Sequence, residues 1–183
     1  YLPAFETAVK EARPKTIMCS YNKINGIYAS ENRHLLTEIL RDEWGFEGYV
    51  MTDWGAVADR VKGIVAGHDL EMPGSGGVND AKIVAAVKDG KLDESLLDKA
   101  VENILKVVFS YVDNRHPEAV FDRDADHEKA VAIETECAVL LENNGVLPLS
   151  GDKKIVYIGE YAEKPRYQGG GSSHINAGKV ASA

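Results

Sequence analysis

The sequence predicts an α/β fold built on parallel strands, and three observations carry that prediction. Short apolar runs at 16–19, 49–51 and 64–70 alternate with stretches whose apolar residues recur at helical spacing. Each run stops at polar or aromatic residues, as strands do where a ligand site lies beyond their carboxyl ends. A helical connection between successive runs is what parallel strands need, and right-handed crossovers follow from it. A barrel and an open sheet share this alternation.

In chain order, residues 2–12 read as the back half of a helix, with Leu2, Phe5, Val9 and Ala12 at helical spacing and Pro14 beyond it. Thr16-Ile17-Met18-Cys19 is a short buried strand ending in Ser20-Tyr21-Asn22, and Asn25-Gly26 signals a turn. A helix over about 32–44 has Ser30 as its cap, Leu35, Leu36, Ile39 and Leu40 as its buried stripe and Gly45 as its stop. Tyr49-Val50-Met51 suits a strand covered on both faces, and 58–62 a short helix. Residues 64–70 are predicted as a third strand, closed by Glu71-Met72-Pro73-Gly74 and followed by a loop over 74–77.

Helical spacing of Ile83, Val84 and Val87 covers 79–89, with Gly90 ending it. The strongest helix signal runs over 93–111 on Leu96, Leu97, Ala100, Val101, Ile104, Leu105 and Val108. Residues 114–117 break the pattern. A further helix over about 126–142 carries Ala130, Ile133, Cys137, Leu140 and Leu141, and 154–159 is predicted as a strand opening a second domain.

Composition narrows the function classes. With 183 residues, 44% of them apolar and 27% charged, the chain can bury a substantial core and holds one domain or parts of two. A net charge of −8 argues against a nucleic-acid groove or an anionic membrane surface as partner, and is compatible with a neutral substrate without requiring one. Cys19 and Cys137 lack metal-type spacing and are expected to be small core residues, so no metal and no cofactor is predicted. No apolar run reaches the length of a membrane helix. The chain opens at Tyr1 without methionine and is read as an excised piece, which leaves the compartment open.

The residues that could carry chemistry sit at the ends of the runs. Asp53 and Trp54 follow Tyr49-Val50-Met51-Thr52, where a carboxylate beside a flat indole suits a sugar ring: the indole covers the apolar ring face while the carboxylate approaches the anomeric carbon. The simpler alternative is that Asp53 caps the following segment. Asp69 and Glu71, at the end of the next run, are open to the role of local acid, and His68 to that of a hydrogen-bonded core residue. The run Gly169-Gly170-Gly171-Ser172-Ser173-His174 lacks the Gly-Lys-Ser/Thr ending of a phosphate loop, and Asp122, Asp124, Asp126 and Glu128 lack the glycine turn of a calcium loop.

Taken in order, Met18-Cys19-Ser20-Tyr21-Asn22, Asn25-Gly26, Glu43-Trp44-Gly45-Phe46, Gly48-Tyr49-Val50-Met51-Thr52-Asp53-Trp54-Gly55-Ala56, Ala66-Gly67-His68-Asp69-Leu70-Glu71-Met72 and Gly145-Val146-Leu147-Pro148-Leu149 form a set. The chain closely resembles the family 3 glycoside hydrolases, in the β-glucosidase and β-xylosidase branch. The resemblance implies that residues 1–112 are the last three β/α units of a (β/α)8-type barrel, that 113–150 are an interdomain link with a helix, and that 151–183 start an α/β sandwich domain. By the same resemblance Asp53 is the nucleophile, and Tyr21 and Trp54 line the sugar subsite. Asp69 then holds its strand-end loop, and the glycine-rich run is a loop of the second domain near the interdomain cleft.

The activity implied is retaining hydrolysis of β-linked glucosides or xylosides, whether oligosaccharides or aryl glycosides, through a covalent glycosyl-enzyme. The acid/base glutamate belongs beyond Ala183, and the residues gripping the sugar hydroxyls belong to earlier strands, so the chain alone is expected to be inactive. Two other readings remain: a non-catalytic carbohydrate-binding or structural remnant, and the phosphorylase or β-N-acetylglucosaminidase branch of the family. Asp53 weighs against the first and Asp53-Trp54-Gly55 against the second. Open sheet edges lead to the expectation that the piece self-associates or is held by the rest of its parent.

Overall fold

The computed structural model describes residues 1–182 and divides into two units, Tyr1–His116 and Pro117–Ala183, the final Ala183 lying outside the described residues. In the first unit, strand β1 (Thr16–Cys19) pairs in parallel with β4 (Tyr49–Thr52) in the register Thr16↔Tyr49 to Cys19↔Thr52. Between them, β2 (Lys23–Ile24) and β3 (Ile27–Tyr28) form a small hairpin whose turn residues, Asn25 at φ 51° and Gly26 at φ 86°, take the left-handed conformations of a two-residue type I′ loop.

The prediction of a third strand over 64–70 is corrected. Residues Arg60–Ala66 form helix α2, and only Leu70 joins the sheet, by a single parallel bridge to Met51. Local capping decides this: the Asp59 carboxylate accepts from Val61 N–H at 3.0 Å and Lys62 N–H at 3.1 Å, and Gly67, at φ 96°, ends the helix. A side chain at Gly67 would also meet Thr37 Oγ1 at 2.6 Å. The run Ile64-Val65-Ala66 is too short for its spacing to distinguish a buried helical turn from a strand.

Helix α1 (Leu2–Thr7) continues as a wider turn over Ala8–Ala12, and of its predicted stripe only Val9 is buried. The helix His34–Glu43 is of the wide π type and closes with an i→i+5 bond from Trp44 N–H to Ile39 O at 3.0 Å. Its cap is Asn32, whose Oδ1 accepts from Leu35 N–H at 3.0 Å, while the expected cap Ser30 donates to Ala56 O at 3.0 Å. Leu36, Leu40, Trp44 and Phe46 bury the covered face of β4 together with Val9, Cys19, Val50 and Ala66. One face of β4 is covered rather than both: Val50 and Thr52 are buried, and Tyr49 and Met51 are half-exposed.

Helices α3 (Val78–Lys88) and α4 (Glu94–Asn114) complete the unit, the latter capped by Asp93, which accepts from Ser95 N–H at 2.9 Å. Ile83, Ala86 and Leu92 pack with Ile64 of α2 in a second cluster. On α4 the buried residues are Ala100 and Asn103, whereas Leu96, Val101, Leu105 and Val108 of the predicted stripe are exposed.

The second unit differs more from expectation. Helix α5 (Arg123–Cys137) starts at Asp122, whose carboxylate accepts from Asp124 and Ala125 N–H, and it ends before the predicted 142. Cys137 is exposed, as are Val139, Leu140 and Leu141, because no described element packs on them. The predicted strand over 154–159 is not formed: Ile155, Val156, Tyr157 and Ile158 are exposed, and helix α6 (Glu160–Glu163) follows. A strand needs a neighbour to take its ladder hydrogen bonds, and none of the described residues supplies one there.

Gly48 sets the approach of β1 to β4. Tyr49 N–H donates to Lys15 O at 3.3 Å, and a Cβ at Gly48 would lie 2.0 Å from that oxygen, on backbone that cannot step aside. Gly48→Ala is therefore expected to cost about 2 kcal/mol or more, read as a fall in the unfolding midpoint.

Candidate active site

The parallel register places the chain segments that leave β1 and β4 side by side. Asp53 is the first residue past β4 and Tyr21 the second past β1, so both stand at the carboxyl edge of the pair. Asp53 N–H donates to Cys19 O at 3.0 Å, which ties the carboxylate's backbone to the end of β1. Its Oδ1 accepts from Trp54 N–H at 2.6 Å, and Oδ2 has no hydrogen-bond partner among the described residues. The side chain is half-buried, while Tyr21 and Trp54 are 70% and 72% exposed. These three sequence-predicted residues thus share one edge, and no hydrogen bond among the described residues joins their side chains. An unengaged carboxylate oxygen is free to attack or to accept a proton, and two exposed aromatic planes can stack on an apolar face.

Asp69 occupies a different position. It is 5% exposed, and its carboxylate collects three donors: Val50 N–H at 2.7 Å, Arg41 at 2.5 Å and Asn103 at 2.9 Å. Burial pushes this carboxyl above the usual carboxylate range, against the opposing pull of Arg41, Val50 N–H and Asn103. Glu71 accepts from Asn79 at 2.7 Å. Asp69 is therefore not available as the local acid that strand-end adjacency alone permits, whereas Glu71 keeps one oxygen unengaged among the described residues. Asn103 and Arg41 went unassigned in the sequence; an asparagine at a buried position of an apolar helix was the one signal that could have flagged them.

His68, 1% exposed, faces Arg60 through Nδ1 at 3.4 Å and Leu70 O through Nε2 at 2.8 Å. Since guanidinium only donates and carbonyl only accepts, Nδ1 is the acceptor and the proton sits on Nε2. Burial, with the Arg60 charge added, pushes the imidazole down from 6.5 to about 4, although the Leu70 carbonyl pulls the other way. Burial also lowers the Arg60 guanidinium, against the carboxylates Glu71, Asp69 and Asp80, and its NH2 donates to Asp69 O at 2.7 Å. This is the hydrogen-bonded core histidine that the sequence suggested.

A cleft of about 820 Å³, lined among others by Lys15, Phe46, Gly48, Arg41, Asp69 and Asn103, opens beside the residues that precede β1 and β4. Asp53, Tyr21 and Trp54 do not line it. In the second unit, the Gln168 side chain pairs with both backbone groups of Ile175, donating to O and accepting from N–H at 3.0 Å each, and so closes the glycine-rich loop on itself.

A neutral buried histidine fixes the sign of one pH effect. Between 6.5 and about 4 the unfolded chain binds a proton that folded His68 refuses, so stability falls as pH drops through that window. The loss is about 3 kcal/mol at most. Asp69, with its raised value, contributes the opposite slope in any variant that keeps it. His68→Asn, compared with the unaltered protein by denaturant unfolding at pH 7, 5.5 and 4.5, is expected to lose less stability on acidification.

The family model described as "Glycosyl hydrolase family 3 N terminal domain" matches residues 1–107. The chain is 56% identical over 176 residues to the thermostable beta-glucosidase B of Acetivibrio thermocellus, covering 96% of this chain and 23% of that protein. It is 46% identical over 197 residues to an exo-alpha-(1->6)-L-arabinopyranosidase of Bifidobacterium breve, covering 100% of this chain and 25% of the other. Among solved structures, a GH3 beta-glucosidase of Bifidobacterium adolescentis superposes with a TM-score of 0.86 at 47% identity, over 100% of this chain and 27% of that one. Beta-glucosidase 3B of Thermotoga neapolitana, in complex with alpha-D-glucose, superposes at 0.84 with 39% identity, over 95% and 26%. The chain therefore spans about a quarter of the length of the relatives it matches.

Proposed function

The chain belongs to glycosyl hydrolase family 3, and from that premise we propose that the full-length enzyme containing it hydrolyses β-glycosidic bonds with retention, Asp53 acting as the nucleophile. The observation that carries this reading is the state of Asp53. It stands at a strand's carboxyl end with its backbone tied to Cys19, one oxygen held by Trp54 N–H and the other unengaged. Oδ2 bonds to the anomeric carbon as the leaving oxygen takes a proton from an acid; water then adds to that carbon, gives its proton to the same group, and releases Asp53. Tyr21 and Trp54 supply the exposed aromatic faces for the sugar.

We read the proton donor as coming from outside this chain. Asp69 is buried and taken up by Arg41, Asn103 and Val50, and Glu71 gives one oxygen to Asn79. A retaining pair must stand about 5–5.5 Å apart, and the donor is supplied by the remaining three quarters of the enzyme. Residues 1–112 are read as the last three β/α units of a (β/α)8-type barrel, 113–150 as a link and 151–183 as the start of the second domain. The parallel pairing of β1 with β4 and the bridge to Leu70 support the first of these assignments.

The sugar is read as glucose or a close relative, on the names of the β-glucosidase relatives. The arabinopyranosidase relative favours a second candidate at the same site. An α-L-arabinopyranoside carries its leaving group equatorially, as a β-D-glucoside does, so one nucleophile on one ring face serves both.

In the full-length enzyme, a 2-fluoro glucoside with a good leaving group is expected to leave a stable adduct on the peptide containing Asp53, read by mass spectrometry. Ordinary turnover with no adduct there would remove Asp53 from the role. Asp53→Ala is expected to lower kcat by on the order of 10⁴-fold. The 183-residue chain alone is expected to show no turnover of an unactivated disaccharide and to sediment as an associated species, through exposed apolar residues such as Met18, Val101 and Phe109.

A further inference from the structure

The residue before Asp53 is one of the three largest fully buried side chains among the described residues, and it is a threonine. A buried hydroxyl must satisfy both its donor and its acceptor capacity, and Thr52 does so on a single residue. Its Oγ1 donates to Met72 O at 3.0 Å and accepts from Met72 N–H at 2.8 Å. On the far side of Asp53-Trp54, Gly55 N–H donates to the same Met72 O at 3.0 Å. Asp53 and Trp54 are therefore bracketed: the chain enters and leaves them pinned to the backbone of one residue, Met72. Thr52 N–H adds a bond to Leu70 O at 3.0 Å, the carbonyl that also receives His68 Nε2.

We propose that the Thr52 hydroxyl is a positioning group for Asp53, holding the turn that carries the carboxylate against Met72 so that Oδ2 meets the anomeric carbon at attacking distance. The proposal rests on Asp53 being the nucleophile. The hydroxyl touches no substrate and transfers no proton; its contribution is to orientation, and orientation errors of about 1 Å cost on the order of 100-fold in rate. Strand pairing alone does not fix the turn: β4 ends at Thr52, the Asp53 N–H bond to Cys19 O is its one tie to β1, and its bonds from Trp54 N–H and Ala56 N–H lie within the turn itself. Valine has the shape of threonine without the hydroxyl, and so separates the latch from the packing.

The test uses the full-length enzyme as unaltered protein, Thr52→Val and Thr52→Ser, with an aryl glucoside as substrate, the 2-fluoro glucoside as trap and glucose as competitive inhibitor. T52V is expected to lower kcat and the trapping rate together by about 10- to 100-fold, with the inhibition constant of glucose changed less than about twofold. T52S, which retains both hydrogen bonds, is expected to recover most of the loss. Should T52V not fold, Thr52→Cys read against T52S, which shares its unbranched shape and differs in replacing a weak thiol donor with a hydroxyl, gives the same contrast. Equal rates in T52V and the unaltered enzyme overturn the proposal, as does a loss of glucose binding in step with the loss of rate. A trapped adduct on some peptide other than that of Asp53 in the unaltered enzyme overturns the nucleophile assignment instead, so the two failures are told apart.

Discussion

One buried carboxylate holds the first unit together. Asp69 receives the β4 backbone through Val50 N–H, the π-type helix through Arg41 and helix α4 through Asn103, so three elements distant in sequence meet on two oxygens. A buried carboxylate is costly to desolvate, and removing Arg41 leaves it without its counter-charge. That cost makes the arrangement specific: β4 cannot slip in register without losing the Val50 bond, and α4 cannot rotate without withdrawing Asn103. The apolar cluster around Val50 supplies packing, which is tolerant of small shifts; the Asp69 hub is not.

The edge that carries Asp53 depends on this hub at one remove. Residues 69–72 run from the buried Asp69 to Met72, and along that stretch the Leu70 and Met72 carbonyls take the donors of Thr52, His68 and Gly55. Fixing Asp69 fixes the segment against which the turn at 53–54 rests. The chemistry is thereby separated from the support. Asp53, Tyr21 and Trp54 remain open to solvent with one oxygen unengaged, while Asp69, His68 and Arg60 are spent on Arg41, on Asn103, on each other and on the backbone. The cleft near Lys15 and Gly48 lies with the opposite, supporting end of the strands.

Much of the local structure was legible in the residues. Asn25-Gly26 and the apolar runs at 16–19 and 49–51 follow from turn chemistry and from the fit of β-branched and aromatic side chains to a strand. Helix α4 and its Asp93 start follow likewise from capping and spacing. Errors arose where an apolar run had no second signal. Ile64-Val65-Ala66 was read as strand although Asp59 and Gly67 frame it as a helix, and the exposed run 155–158 was read as strand although no described residue pairs with it. The stripe on α4 marked the helix, yet its only buried apolar residue is Ala100, because periodicity reports that a face is apolar and not whether anything covers it.

By itself the sequence determined the α/β character, the strand ends and the ordered motifs that mark the family, since these depend on residue type, short spacing and turn conformation. Tertiary structure alone decided which polar groups are spent and which are free. Arg41, Asn103 and Thr52 are ordinary residues in the chain, and their partners lie 28, 34 and 20 residues away. Whether a carboxylate is a hub or an open end is a property of the donors that surround it in space, and no local pattern encodes that. Asp53 and Asp69 are the same residue type, and the burial of Asp69 beneath three donors is what makes them different.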